Sequence, residues 1–140
     1  MEYKSVFNII GPVMVGPSSS HTAGALGIAL YGRERFGRVP ERVDIVLYES
    51  FAKTYKGHGT DVALVSGVLG MEADDMRIRN AFEIAKSEGL EVNFIISDEM
   101  APHPNTVKLT FISGDDKFEV VGISIGGGSF KVLTENGRGV

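Results

Sequence analysis

From Glu91 onward the apolar residues of this chain recur at every second position, whereas most of the preceding chain repeats at every third or fourth. That change of period limits the fold more than any other feature, because strands alternate between two faces and helices return to one face every 3.6 residues. Val92, Phe94 and Ile96 share one face of an extended segment. Val107, Leu109 and Phe111 do so again, while Thr106, Lys108 and Thr110 face the other way, as in a half-buried strand. Ser113-Gly114-Asp115-Asp116 and Gly126-Gly127-Gly128 supply the positive-φ positions of tight connections, so residues 106–134 are predicted to form a three-stranded antiparallel meander. A free edge of that meander is expected to pair with a second copy, giving a homodimer.

Residues 17–36 begin with hydroxyl-bearing capping residues and run through Ala23, Leu26, Ile28, Leu30 and Phe36 with Gly24 and Gly27 interspersed, the pattern of a closely packed helix. Arg42 to Tyr48 is β-branched-rich and reads as a strand, followed by a loop through Lys56-Gly57-His58-Gly59. Thr60 or Asp61 is expected to cap a second helix reaching about Leu69. Ile78, Ala81, Phe82 and Ala85 fall at i, i+3, i+4 and i+7, with Asp74 and Asp75 near the start and Gly89 just past the end, which predicts a third helix. The resulting fold class is α/β of the α+β kind: a mixed β-sheet with an antiparallel meander, packed against helices. A length of 140 residues at 43% hydrophobic content supports one domain, 1–140, with a single core.

A net charge of −4 opposes binding to nucleic acid, which requires a basic stripe to displace counterions. The apolar runs are interrupted well before the length of a membrane span, and Met1-Glu2-Tyr3-Lys4-Ser5 lacks the basic-then-apolar pattern of a signal peptide. A cytoplasmic protein is expected. With no cysteine, the chain can form no disulfide, thiolate nucleophile or cysteine-ligated cluster of its own.

Three segments concentrate chemistry. In Gly16-Pro17-Ser18-Ser19-Ser20-His21-Thr22 a proline-fixed turn delivers hydroxyls and free N–H groups to a helix start, where unpaired amides and the helix dipole favour an anion. One serine would suffice as an N-cap, and three with a histidine and a threonine exceed that need. The same dipole disfavours an imidazolium at His21. In Tyr55-Lys56-Gly57-His58-Gly59-Thr60-Asp61, glycines on both sides leave His58 open to approach, although a loop histidine can equally be a solvated surface residue. In Ala101-Pro102-His103-Pro104-Asn105-Thr106, two prolines preset the direction of His103 at the entrance to a strand, whether as a site residue or as part of a rigid turn. These are all the histidines in the chain, and their separations of 37 and 45 residues give no metal-ligand spacing. Gly122-Ile123-Ser124-Ile125-Gly126 matches a serine-hydrolase elbow in letters, but a glycine run and another strand, Phe130 to Leu133, follow it where that motif needs a helix.

On these residues the chain resembles the beta chain of bacterial two-subunit L-serine dehydratases and the same domain of single-chain forms. The likeness runs from Tyr3 to Phe7 and Gly11 to Gly24, and continues at Tyr55 to Asp61, His103 to Thr106 and Gly122 to Gly128. The resemblance implies a lyase of amino-acid metabolism and gluconeogenesis that converts L-serine to pyruvate and ammonia. It implies a [4Fe–4S] cluster held by a partner alpha chain, none being bound here, which acts on the substrate hydroxyl while a protein base removes the Cα proton. His58 is the expected base, because its loop allows close approach and a neutral imidazole titrates near working pH. Ser18, Ser19, Ser20, His21, Thr22, His103 and Asn105 are the expected substrate-binding residues, and the chain alone is expected to be inactive. The alternative is a non-catalytic allosteric domain that senses serine or another small anion, as a related domain does in some phosphoglycerate dehydrogenases. Many beta chains continue into a regulatory ACT domain; residues 1–140 carry no such module, and the expectation is a single domain over this span.

Overall fold

The structure, a computed structural model, describes residues 2–3, 19–54 and 59–140; for Glu2, Tyr3, Ser19, Ser20, His21, Ser50 and Thr54 it describes the backbone alone. Its strands are β1 (Glu2–Tyr3), β2 (Arg42–Tyr48), β3 (Glu91–Ser97), β4 (Thr106–Ser113), β5 (Asp116–Gly126), β6 (Ser129–Glu135) and β7 (Arg138–Gly139). The helices are α1 (Ser19–Phe36), α2 (Glu49–Thr54), α3 (Thr60–Val68) and α4 (Ala81–Ser87), with a 3-10 turn over Met76–Asn80 leading into α4. All seven strands join one sheet in the order β1-β6-β5-β4-β2-β3, with β7 also on β6. Only β2 and β3 pair in parallel, so the sheet is mixed, and β4, β5 and β6 form the expected antiparallel meander.

The pairing register builds the core. Val43, Phe111 and Phe118 lie in one cross-strand row, Ile45, Leu109 and Val120 in the next, and Leu47, Val107 and Gly122 in a third. α1 lies across these rows, and Gly122 lets it in: a Cβ there would meet Ile28 at 2.9 to 3.1 Å. Period two therefore identifies the helix-facing side of β4, whereas on β3 the face of Val92 and Phe94 is only partly buried and Ile96 is exposed. The opposite side is drier than expected, since Thr106 and Thr110 are also buried, Thr106 with its hydroxyl donating to the His103 carbonyl.

α3 packs on α1 in the same direction. Thr22 meets Thr60 at their starts, and one turn and more later Gly67 rests on the α1 backbone, where a Cβ would stand 2.7 Å from the Leu26 carbonyl oxygen and 2.5 Å from the Ala29 Cβ. At its far end α1 is tied to β6: Tyr31 Oη donates to Glu135 Oε1 at 2.8 Å, and Arg35 grips both carboxylate oxygens at 2.7 and 3.0 Å.

Several local expectations change. The six-residue α2 follows β2 directly, where only a loop was predicted, and opens on Glu49 at φ 43. The third helix is split, because Asp75 accepts the Arg77 N–H at 2.8 Å and starts a tighter turn before α4. The N-cap of α3 is Gly59, and neither Thr60 nor Asp61 occupies that position. The meander has no free edge among the described residues: β2 flanks β4, while β1 and β7 cover β6. Among the described residues β3 is an edge strand, with β1 and β7 at the opposite edge, and its Ile95 and Ile96 are 45% and 49% exposed. No helix among the described residues is long and apolar enough to cross a membrane.

Candidate functional site

The start of α1 is the first wall of the site. Ser19, Ser20 and His21 form its opening turn by backbone, and Thr22 behind them is fully buried. The side chains of Ser19, Ser20 and His21, and the whole of Ser18, lie outside the described residues. The first turn of α1 carries no acidic residue, so nothing in it neutralises the positive end of the helix dipole.

The second wall is the start of α3. Gly59 sits in the left-handed region at φ 79, a conformation that glycine adopts without the Cβ penalty of other residues, and it turns the chain from the His58 segment into the helix. His58 itself lies outside the described residues. Thr60, buried to 2% exposure, directs its Oγ1 to within 3.5 Å of Thr22 Oγ1. Asp61 accepts the Val62 N–H at 2.8 Å. Two parallel helix starts thus stand side by side, and their N–H groups and dipoles add where the serine-bearing and His58-bearing segments enter.

The sheet closes the third side. Gly24 of α1 rests on β5 so tightly that a Cβ would lie 2.3 Å from Ser124 Oγ and 2.8 Å from the Ser129 carbonyl oxygen. The Ser124 N–H in turn donates to the Asn105 carbonyl at 3.0 Å, which places the end of β5 beside the entrance to β4. There the Asn105 N–H donates to His103 Nδ1 at 3.0 Å. A ring whose Nδ1 accepts a hydrogen bond carries its neutral-state proton on Nε2, so His103 offers an N–H donor from its far edge. No group of three histidine or carboxylate side chains among the described residues could hold a metal ion.

The serine dehydratase beta chain family profile matches residues 5–136. The chain belongs to the serine dehydratase beta chain family. It is 51% identical over 137 residues to the probable L-serine dehydratase beta chain of Bacillus subtilis (strain 168), covering 98% of this chain and 62% of that protein. It is 48% identical over 138 residues to the L-serine dehydratase beta chain of Peptoniphilus asaccharolyticus, covering 95% and 61% respectively. L-serine dehydratase 2 of Escherichia coli (strain K12) is 30% identical over 150 residues, covering 89% of this chain and 32% of that protein. The chain thus spans about three fifths of the length of the two beta chains.

In this serine dehydratase beta chain domain, the fold brings Thr22, Asn105 and Thr106 of the motif segments to one end of the molecule, with His103 held in the turn before them. Two members of that wall were not singled out from the sequence as site residues. The sequence offers Thr60 as a helix cap and Ser124 as the centre of an apparent hydrolase elbow, both within segments of the family likeness. The structure rules out the elbow, since Ser124 is fully buried within β5 and a glycine turn leads to β6. Both are buried hydroxyl residues of segments that carry the family likeness, and membership of those segments is the signal the sequence offers for them.

Proposed function

We propose that this chain forms the beta-chain part of an L-serine dehydratase, converting L-serine to pyruvate and ammonia at a site shared with an alpha chain. The observation that carries the reading is the Thr22–Thr60 contact, which sets two parallel helix starts side by side behind the serine- and histidine-bearing segments. In this reading the substrate carboxylate is held at those starts by the N–H groups and by Ser18, Ser19, Ser20 and His21, with the buried Thr22 supporting that turn from behind. His103 donates from Nε2 and Asn105 orients the amino acid from the opposite wall. His58 accepts the Cα proton; loss of the β-hydroxyl as water then leaves the enamine of pyruvate, whose imine hydrolyses to pyruvate and ammonia.

A [4Fe–4S] cluster needs thiolate ligands, and a chain without cysteine does not fit that group. We assign the cluster to the alpha chain. The surface beside the site suits a covering partner: a groove of about 530 Å³ borders Pro104, with Ile96 and the 89% exposed Met100 on its rim. The reading also includes a homodimer of this chain, in a cytoplasmic complex.

The test is anaerobic reconstitution with an alpha chain and measurement of pyruvate formation from L-serine. The chain alone is expected to be inactive, and His58→Ala to lower kcat of the complex by about 10²-fold or more, the usual contribution of a general base. Near-normal turnover of that variant would sink the assignment of His58. Serine binding by the isolated chain, abolished by Ser18–Ser20→Ala with turnover of the complex unaffected, would instead establish the sensor reading.

A further inference from the structure

Among the polar contacts around the candidate site, those at His103 interlock. Pro104 has no N–H, so the first amide after His103 that can donate is that of Asn105, and it donates to the ring at Nδ1 over 3.0 Å. Nδ1 stands as many bonds from the backbone as the Oδ1 of an aspartate, so this contact to the second residue along is the histidine counterpart of an Asx turn. One residue further on, the Thr106 hydroxyl donates back to the His103 carbonyl at 2.5 Å. The ring and the carbonyl of one residue are thus each held by the chain that follows it.

The two holds depend on each other. Asn105 supplies its amide whatever its side chain, but the direction of that amide follows from the torsions between His103 and the strand. Pro102 and Pro104 fix φ at their own positions only. The remaining torsions of Pro104, Asn105 and Thr106 are spanned by the hydrogen bond from Thr106 to the His103 carbonyl, which closes the turn into a ring. Thr106 is itself anchored: it opens β4, pairs with Ile123 of β5 and is 1% exposed, so its hydroxyl is closed to water. The Ser124 N–H, also on β5, donates to the Asn105 carbonyl at 3.0 Å and ties the turn to the same strand. The sheet therefore places Thr106, and Thr106 places the His103 carbonyl. The closed turn presents the Asn105 N–H to Nδ1 and leaves Nε2 as the donor of a half-buried ring.

We infer that Thr106 is a positioning residue for substrate binding: through its hydroxyl and the His103 carbonyl it fixes the direction in which His103 offers its Nε2–H. This rests on the reading of His103 as a ligand of L-serine. It gives the Thr106 hydroxyl a task that burial at the start of β4 does not require, since valine fills a similar volume without a donor.

Thr106→Val, which removes the hydroxyl, tests this against Thr106→Ser, which keeps it. In the ¹⁵N-labelled chain, under mildly alkaline conditions with the ring neutral, the hydrogen bond from the Asn105 N–H to His103 Nδ1 is read directly as a ¹⁵N–¹⁵N coupling across it. The coupling is expected in the wild type and in Thr106→Ser, and its loss is expected in Thr106→Val. In the complex reconstituted with an alpha chain, Thr106→Val is expected to raise KM for L-serine about three- to tenfold, as the loss of one neutral hydrogen bond does, with kcat unchanged. Thr106→Ser should keep KM near the wild-type value, and adding Thr106→Val to His103→Ala should raise it no further. Should Thr106→Val fail to fold, Thr106→Ala takes its place in both measurements. A coupling that survives in the folded hydroxyl-free variant, or a KM increase of the same size on the His103→Ala background, would overturn the inference. A KM indifferent to His103→Ala would remove His103 as a ligand and with it the substrate role of Thr106, while the coupling reports on the turn independently of turnover.

Discussion

Thr22 Oγ1 and Thr60 Oγ1 stand 3.5 Å apart in a buried contact that holds the starts of α1 and α3 together. Either hydroxyl can donate, and removing one withdraws a polar neighbour from the other at a site closed to water. Thr22→Val and Thr60→Val are each expected to destabilise the fold by about 1–2 kcal/mol, and the double variant by less than their sum. Urea denaturation of the four proteins measures that coupling; strict additivity would show that the pair does not act as a unit.

Gly24→Ala should be among the most damaging small substitutions in the chain. Its methyl would fall 2.3 Å from Ser124 Oγ and 2.8 Å from the Ser129 carbonyl oxygen, so α1 must lift from the sheet. A loss of about 1–3 kcal/mol is expected. Adding Ser124→Ala should recover only part of it, because the Ser129 backbone remains in the way. Thermal melts of single and double variants decide this.

His103 should be the Nε2–H tautomer when neutral, given that its Nδ1 accepts the Asn105 N–H. Long-range ¹H–¹⁵N spectra of the imidazole distinguish the two nitrogens directly. In the reconstituted complex His103→Gln, which keeps an N–H donor on a side chain of similar reach, is expected to raise KM for L-serine less than His103→Ala does. Equal effects would remove the donor role.

How much of this was legible beforehand depended on range. Val107, Leu109 and Phe111 announced a buried strand face because alternation is a local property, and all three are fully buried. Ile78, Ala81 and Ala85 announced a packed helical stretch for the same reason, though their spacing could not separate a 3-10 turn at Met76–Asn80 from the α-helix after it. α2 was missed because six residues are too few for a periodicity to develop. The site segments stood out by composition, but the contacts that assemble them join Thr22 to Thr60 and Gly24 to Ser124. Neither pairing leaves any mark in local spacing.

The Glu135 carboxyl links stability to pH. Burial works to raise its pKa, but the hydrogen bonds from Arg35 and Tyr31 outweigh this and hold it below the ordinary value. A folded-state pKa below the unfolded one contributes stability above the unfolded value, and that contribution disappears as pH falls through the folded one. Acid unfolding of wild type should therefore include a loss in that window which Glu135→Gln lacks, and the stability difference between the two should shrink on acidification. Tyr31→Phe, which removes one of the hydrogen bonds to the same carboxylate, should cost about 1 kcal/mol at neutral pH. Equilibrium unfolding across the acid range checks both.

The seating of Gly24 on Ser124 joins positions 100 residues apart in a chain of 140. During synthesis the opening helix therefore waits for its floor until β5 has left the ribosome, and the parallel pairing of β2 with β3 similarly waits for the intervening helices. The wall formed by α1 and β5 is therefore assembled only once both have been made, so it cannot precede the sheet on which it rests.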